Sequence, residues 1–164
     1  MSAPPELGIR PVQREDLPAL HRLIHALAVY ERLEHLVVST PADFERELFG
    51  PDARIECVLA EVAGEAVGFA LWFHNFSTFL GRKGLYLEDL FIVPEMRGRG
   101  YGKALLRHLA QIAVERGCGR FEWSVLDWNT PAIAFYEAVG ATVLPDWRIV
   151  RMTGETLLKF AGNR

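Results

Sequence analysis

The stretch FIVPEMRGRGYGKALLRHLAQIAVERG, residues 91–117, decides how this chain folds. An apolar run stops at Pro94, and three glycines and two arginines then crowd into residues 97–102. A helical pattern starts at once, with Leu105, Leu106, Leu109, Ile112 and Ala113 on one face and Lys103, Arg107, Gln111 and Glu115 on the other. Strand, glycine turn and helix in succession is the grammar of an α/β fold. Glycines let successive N–H groups point the same way and let a ligand approach without a Cβ in its path. The helix N-terminus behind adds about half a positive charge. Such a junction suits a phosphate-like anion, and Arg97, Arg99 and Lys103 reinforce it. A Walker loop needs GxxxxGK[ST] and the dinucleotide fingerprint needs GxGxxG. The spacing here is GxGxG, so neither applies.

Working outward, Leu7–Val12 reads as a strand, and the spacing of Leu17, Leu20, Leu23, Ile24 and Leu27 predicts a helix from Asp16 to about Leu33. Thr40-Pro41-Ala42-Asp43 opens a short helix that Gly50 closes. Ile55–Val62, Ala66–His74 and Leu85–Val93 are apolar, β-rich runs, with a hairpin-like turn at Ala63-Gly64-Glu65 and a longer loop over 75–84. Arg120–Leu126 is a strand. A helix begins at Pro131 behind Asn129 or Thr130 and ends before Gly140. Ala141–Leu144 and Trp147–Met152 read as last strands and Glu155–Phe160 as a helical tail. The sum is a single α/β domain over residues 1–164: one mixed, mostly antiparallel sheet with helices on both faces.

Composition narrows the function. Half of the 164 residues are hydrophobic, a quarter are charged and the net charge is −3, which gives no basic surface for nucleic acid. The longest apolar run, VGFALWF (67–73), falls far short of the roughly 20 residues of a membrane helix. The start, MSAPPELG, has no apolar signal-peptide stretch. Cys57 and Cys118 form no CxxC, and unpaired thiols suit a reducing cytoplasmic compartment. His21 and His25 stand one helical turn apart without a third ligand nearby, so no metal is expected.

RGRGYG resembles the Arg/Gln-x-x-Gly-x-Gly/Ala acetyl-CoA loop of the GNAT N-acetyltransferases. LYLEDLFIVPEMRGRGYG (85–102), VLDWNTPAIAFYEAVGA (125–141) and ALAVYE (26–31) are similar to the diamine (polyamine) and thialysine branch of that superfamily. The resemblance runs from Ile9 nearly to the C-terminus. It implies the GNAT fold and an acetyl-CoA-dependent transferase acting on a primary amine of a small cationic substrate, by direct attack in a ternary complex. It also implies a homodimer.

Residue roles follow the same resemblance. Tyr136 closes the pattern Asn129-x-x-Ala132-x-x-Phe135-Tyr136 and matches the general acid that protonates the departing thiolate. Glu88 matches the carboxylate that holds the amine and relays its proton, while its neighbour Asp89 is read as structural, because adjacent strand residues point to opposite faces. Gly98, Gly100, Tyr101 and Gly102, with Arg97, Arg99 and Lys103, match the pyrophosphate site. Backbone groups of Leu90, Phe91 and Ile92 match the pantetheine contact, and Asn129, Thr130, Pro131 and Ala132 lie beside the cofactor. Tyr30, Glu31, Glu122, Trp123 and Ser124 match substrate-pocket positions. Ser77 and Phe79 stand where the polyamine branch tends to carry an acidic residue and a tryptophan. That departure speaks against recognition of a second polyamine nitrogen and favours the thialysine side. Val139 replaces a basic residue of that branch, so one phosphate contact is missing. Acetylation of a protein lysine or N-terminus, and acyl-CoA binding without catalysis, are the rival readings.

Overall fold

The computed structural model describes residues 6–163. Its contacts group into two compact units that meet in sequence at Leu126/Asp127.

The first unit carries the sheet. Strands β1 (Leu7–Pro11), β2 (Glu56–Val62), β3 (Glu65–Ser77), β4 (Arg82–Ile92) and β5 (Phe121–Trp123) lie side by side in that order. Each neighbouring pair is antiparallel except β4–β5, which is parallel. Three helices accompany them: α1 (Leu17–Tyr30), α2 (Pro41–Phe49) and α3 (Tyr101–Glu115). Every position from Val67 to Trp72 is buried, as a central strand covered on both faces requires. On one face Leu59, Phe69, Leu71 and Phe91 pack with Leu17, Leu20 and Leu23 of α1, and Phe44 and Leu48 of α2 close over them. Helix α3 packs against β4 and buries Leu105 and Leu109 completely. Each such side chain contributes about 1.5–3 kcal/mol.

The two hairpins differ in how much of them the residue pattern reveals. Between β2 and β3, Ala63 and Gly64 both take left-handed φ (52° and 80°), the two-residue turn that matches strand twist. The expected loop over 75–84 is mostly strand. Asn75 pairs with Gly84, Phe76 with Lys83 and Ser77 with Arg82, which leaves only residues 78–81 as a loop. Pairing satisfies backbone groups that a ten-residue loop would leave to water. A Cβ at position 84 would strike the Asn75 side chain, so the glycine permits that pairing. Ser77 is buried, and its Oγ accepts from Leu80 N at 3.2 Å while its carbonyl accepts from Gly81 N at 2.8 Å.

In the second unit, α4 (Thr130–Ala138) starts behind Asn129, whose Oδ1 accepts from Ala132 N at 3.4 Å. It ends in a Schellman turn: Gly140 has φ 96°, its N–H donates to Glu137 O, and Ala141 N donates to Tyr136 O, both at 3.0 Å. A last helix, α5, spans Gly154–Phe160. The strands expected over 141–144 and 147–152 are absent. A strand needs a partner ladder, and nothing within this unit supplies one. No helix among the described residues is long and apolar enough to cross a membrane.

Candidate active site

The glycine turn is built for an anion by its backbone. Gly98 and Gly100 have φ of 75° and 82°, and a Cβ on either would meet nothing within 4 Å. Conformation, not crowding, therefore demands glycine at both. Met96 N and Arg97 N are used in a preceding 3-10 turn, donating to Val93 O and Pro94 O at 3.0 and 3.2 Å. Among the described residues, the amides of 98–100 enter no such turn, and the first-turn amides of Tyr101, Gly102 and Lys103 have no acceptor inside the helix. Arg99 and Lys103 are exposed beside them. This set fits a pyrophosphate. Strand β5 pairs with β4 only along Leu85–Leu87, whereas β3 follows β4 to Ile92. Beyond Leu87 the β5-side backbone of Leu90–Ile92 has no strand beside it among the described residues, an edge that an extended pantetheine arm can meet.

Arg97 behaves differently from its neighbours. Its Nε donates to Ile92 O at 3.0 Å, and its guanidinium lies 4.5 Å over the Tyr30 ring and 5.4 Å from that of Phe91. It ties the end of β4 to the end of α1. That helix end is itself fixed by a Schellman turn: Leu33 N donates to Ala28 O and Arg32 N to Val29 O, with Arg32 at φ 61°. Glu31 sits in this turn, and burial raises its carboxyl above the usual range.

At Glu88 the strand is irregular. Leu87 opposes Trp72 but Asp89 opposes Leu71, so β4 carries one extra residue here, a β-bulge. Residues directly opposite share a face. Leu85 and Leu87 thus share the face of His74 and Trp72, whereas Asp89 and Phe91 share that of Leu71 and Phe69, where α1 packs. The regular alternation expected between Glu88 and Asp89 fails at this point. Asp89 is turned among Cys57, Leu71 and Phe91. Burial first, then the charges of Glu88 and Glu31, push its carboxyl up to about 7. Glu88 is exposed.

On β5 the pairing Tyr86↔Glu122 puts Glu122 on the Tyr86 face. Tyr86 stacks 5.2 Å from Phe73, and its Oη lies 2.8 Å from Ser124 Oγ. Glu122 is engaged by Arg120 Nε at 3.1 Å. Trp123, opposite Leu87, points to the other face with Phe121, 4.8 Å away. The structure thus brings Tyr30, Glu31, Asp89 and Arg97 together around one helix end, puts Ser124 with Tyr86, and does not put Trp123 with them.

A model of the GNAT acetyltransferase family matches residues 19–141. The chain belongs to the GNAT acetyltransferase family. It is 34% identical over 194 aligned residues to an L-ornithine N5-acetyltransferase of Arabidopsis thaliana, covering 91% of this chain and 85% of that protein. It is 33% identical over 166 to a thialysine N-epsilon-acetyltransferase of Mus musculus, covering 94% and 97%. Among solved structures, an integron cassette protein from the mobile metagenome of V. cholerae superposes with a TM-score of 0.78 at 26% identity, covering 94% and 97% of the two chains.

In a GNAT acetyltransferase acetyl-CoA is the acyl donor, and the turn 97–103 with the open edge of Leu90–Ile92 has the features that this donor requires. In the second unit Asn129 caps α4, with Thr130, Pro131 and Ala132 forming its first turn. Tyr136 lies on the same helix, its ring 5.4 Å from that of Phe135. Sequence reasoning missed three features: the packing of the Arg97 side chain over Tyr30, the Tyr86–Ser124 contact, and the turning of Asp89 to the face of Leu71, where it is half-buried. The signal for the last was visible as two consecutive acids inside an apolar strand, a costly placement without a purpose.

Proposed function

We propose that this acetyltransferase moves the acetyl group of acetyl-CoA to the primary amine of a small cation, lysine-like or a short diamine, by direct attack within a ternary complex. The carrying observation is the gathering of Glu31, Glu88 and Asp89 where α1 ends against β4, close behind the glycine turn. Three carboxyl groups raise one another's affinity for a cation. The names of the ornithine and thialysine relatives, each an amino acid acetylated on its side-chain amine, support the same class. Ser77 uses its hydroxyl within its own hairpin and offers no carboxylate for a second nitrogen. That favours amino acid over polyamine.

Acetyl-CoA supplies the thioester carbonyl. The amides of 98–103 with Arg99 and Lys103 hold its pyrophosphate, and Leu90–Ile92 hold its arm. Glu88 draws the amine and relays its proton, and Tyr136 delivers a proton to the thiolate as the C–S bond breaks. The family match runs across the boundary at 126/127. Unpaired Cys57 and Cys118 suit a cytoplasmic site, and a homodimer is the expected assembly.

The test is thiol release from acetyl-CoA with ornithine, lysine, thialysine, putrescine, spermidine, a lysine peptide and no amine. Turnover above background with a small amine, highest for the amino acids, is expected. Turnover with the peptide alone would replace this reading with protein acetylation. A Tyr136→Phe variant that binds CoA normally should lose turnover, which a binding-only protein could not show.

A further inference from the structure

Arg97 opens the glycine turn in sequence, yet its side chain runs back to β4. Pro94 carries no N–H to continue that strand. The 3-10 turn it begins, with Met96 N and Arg97 N donating to Val93 O and Pro94 O, reverses the chain. Where Ile92 O points follows from the pairing with β3. Val93 N donates to Val67 O at 2.9 Å, and Ile92 stands opposite Gly68. Antiparallel partners alternate between pairs that exchange backbone hydrogen bonds and pairs that do not, so Ile92↔Gly68 is of the second kind. Ile92, and Leu90 two residues before it, therefore turn their N–H and C=O groups away from β3. Among the described residues that side has no strand beyond Leu87. Arg97 Nε takes Ile92 O at 3.0 Å. Its guanidinium rests 4.5 Å over the Tyr30 ring and 5.4 Å from that of Phe91, and its Nη groups meet no acceptor among the described residues.

We propose that Arg97 serves the pantetheine arm of acetyl-CoA and not its pyrophosphate. It takes the last carbonyl of the open edge out of use and offers guanidinium N–H donors in its place. This rests on the reading that the edge of Leu90–Ile92 holds the arm. The arm carries two amides, each with one N–H and one C=O. An edge that ended in a free Ile92 O would call for an N–H there; with Arg97 in place it calls for a carbonyl. An aromatic platform suits this task, because it fixes a planar guanidinium by its face and leaves the rim free to donate. A guanidinium committed to Ile92 O and the Tyr30 ring is not at hand to follow a phosphate, whereas exposed Arg99 and Lys103 are. Lysine could not replace it, since an ammonium has no plane to stack and no Nε donor on its stem.

The experiment measures, by calorimetry at low and high salt, the Kd of CoA and of its phosphate half, adenosine 3′-phosphate 5′-diphosphate. The ratio of the two reads what the arm adds. In Arg97→Lys the CoA Kd should rise about 10-fold or more, while that of the phosphate half stays within about threefold and the salt dependence of both is unchanged. A lysine at a phosphate site would keep its charge and much of its binding, so this split belongs to the arm alone. Tyr30→Leu, which keeps Arg97 and removes its platform, should show the same split to a smaller extent. Arg99→Ala should raise both constants together, most at low salt. An Arg97→Lys variant that binds CoA as wild type does, or that loses both ligands alike, overturns the assignment and leaves the acyl-donor reading standing. A wild type that binds the phosphate half as tightly as CoA has no arm on the edge, and one that binds neither has no donor site; either result overturns the reading on which the assignment rests.

Discussion

Asp89 makes a prediction about stability that needs no substrate. Its carboxyl is pushed up to about 7 from an ordinary 3.8, chiefly by burial. The folded protein therefore holds this proton to a higher pH than the unfolded chain does. At about 1.4 kcal/mol per tenfold, ionising Asp89 costs the fold about 4 kcal/mol. The sign is set by linkage. Between about pH 4 and pH 7 the folded state binds more protons at this position, so the contribution falls as pH rises through that window and is flat above it. Asn cannot ionise, so Asp89→Asn removes the slope. It also buries an amide in the same place, at a cost of about 1–3 kcal/mol.

The net expectation is a variant no better than wild type at pH 4.5 and more stable by about 1–3 kcal/mol at pH 8. For a chain of this length that is a rise of roughly 2–12 °C in Tm. Urea unfolding of both proteins at pH 4.5, 6, 7 and 8 without CoA reads the difference directly. Asp16, Asp43 and Glu56, which their arginine and backbone partners hold below the usual range, lend stability that is lost as pH falls. They are common to both proteins and cancel in the difference. A stability difference constant across pH would refute the reasoning, because it would mean that Asp89 is not an uncompensated acid. A difference that shrinks as pH rises would show that the anion is paired.

The glycine turn and Arg97 make two further predictions. Gly100→Ala places a Cβ in open space but in a left-handed backbone, so its effect is conformational, about 1–2 kcal/mol. It should appear as lost stability or, if the turn relaxes, as a CoA Kd raised roughly 5–30-fold; calorimetry and melting that both match wild type would refute the turn's role. Arg97→Lys loses the Nε bond to Ile92 O and much of the stacking over Tyr30, so unfolding should become about 1–2 kcal/mol easier and the amine KM should rise. Arg99→Ala should instead weaken CoA in a salt-dependent way, and reversal of the two phenotypes would refute the different courses assigned to these arginines.

What was legible in the sequence divides along a physical line. Local rules act over a few residues, and they placed α1 to α4, the Ala63-Gly64 hairpin and the turn 97–102 within a residue or three of where they lie. Non-local pairing is decided by a partner that the segment itself does not contain. Asn75–Ser77 and Arg82–Gly84 read as loop because they are polar and aromatic, yet each supplies the other's ladder. Residues 141–144 and 147–152 read as strands because they are largely apolar and β-branched, yet no partner within their unit completes them. The bulge at Glu88 belongs to the same class. In a strand apolar on both faces, Leu85–Val93 looks the same with or without an extra residue, so no periodicity reveals it. Only the register against β3 does, since Leu71 and Trp72 are fixed on opposite faces by the cores that they fill. The two consecutive acids, Glu88 and Asp89, were therefore the one visible trace of the bulge. Strict alternation from Leu87 would have sent Asp89 away from the face of Leu71, and a single inserted residue sends it in.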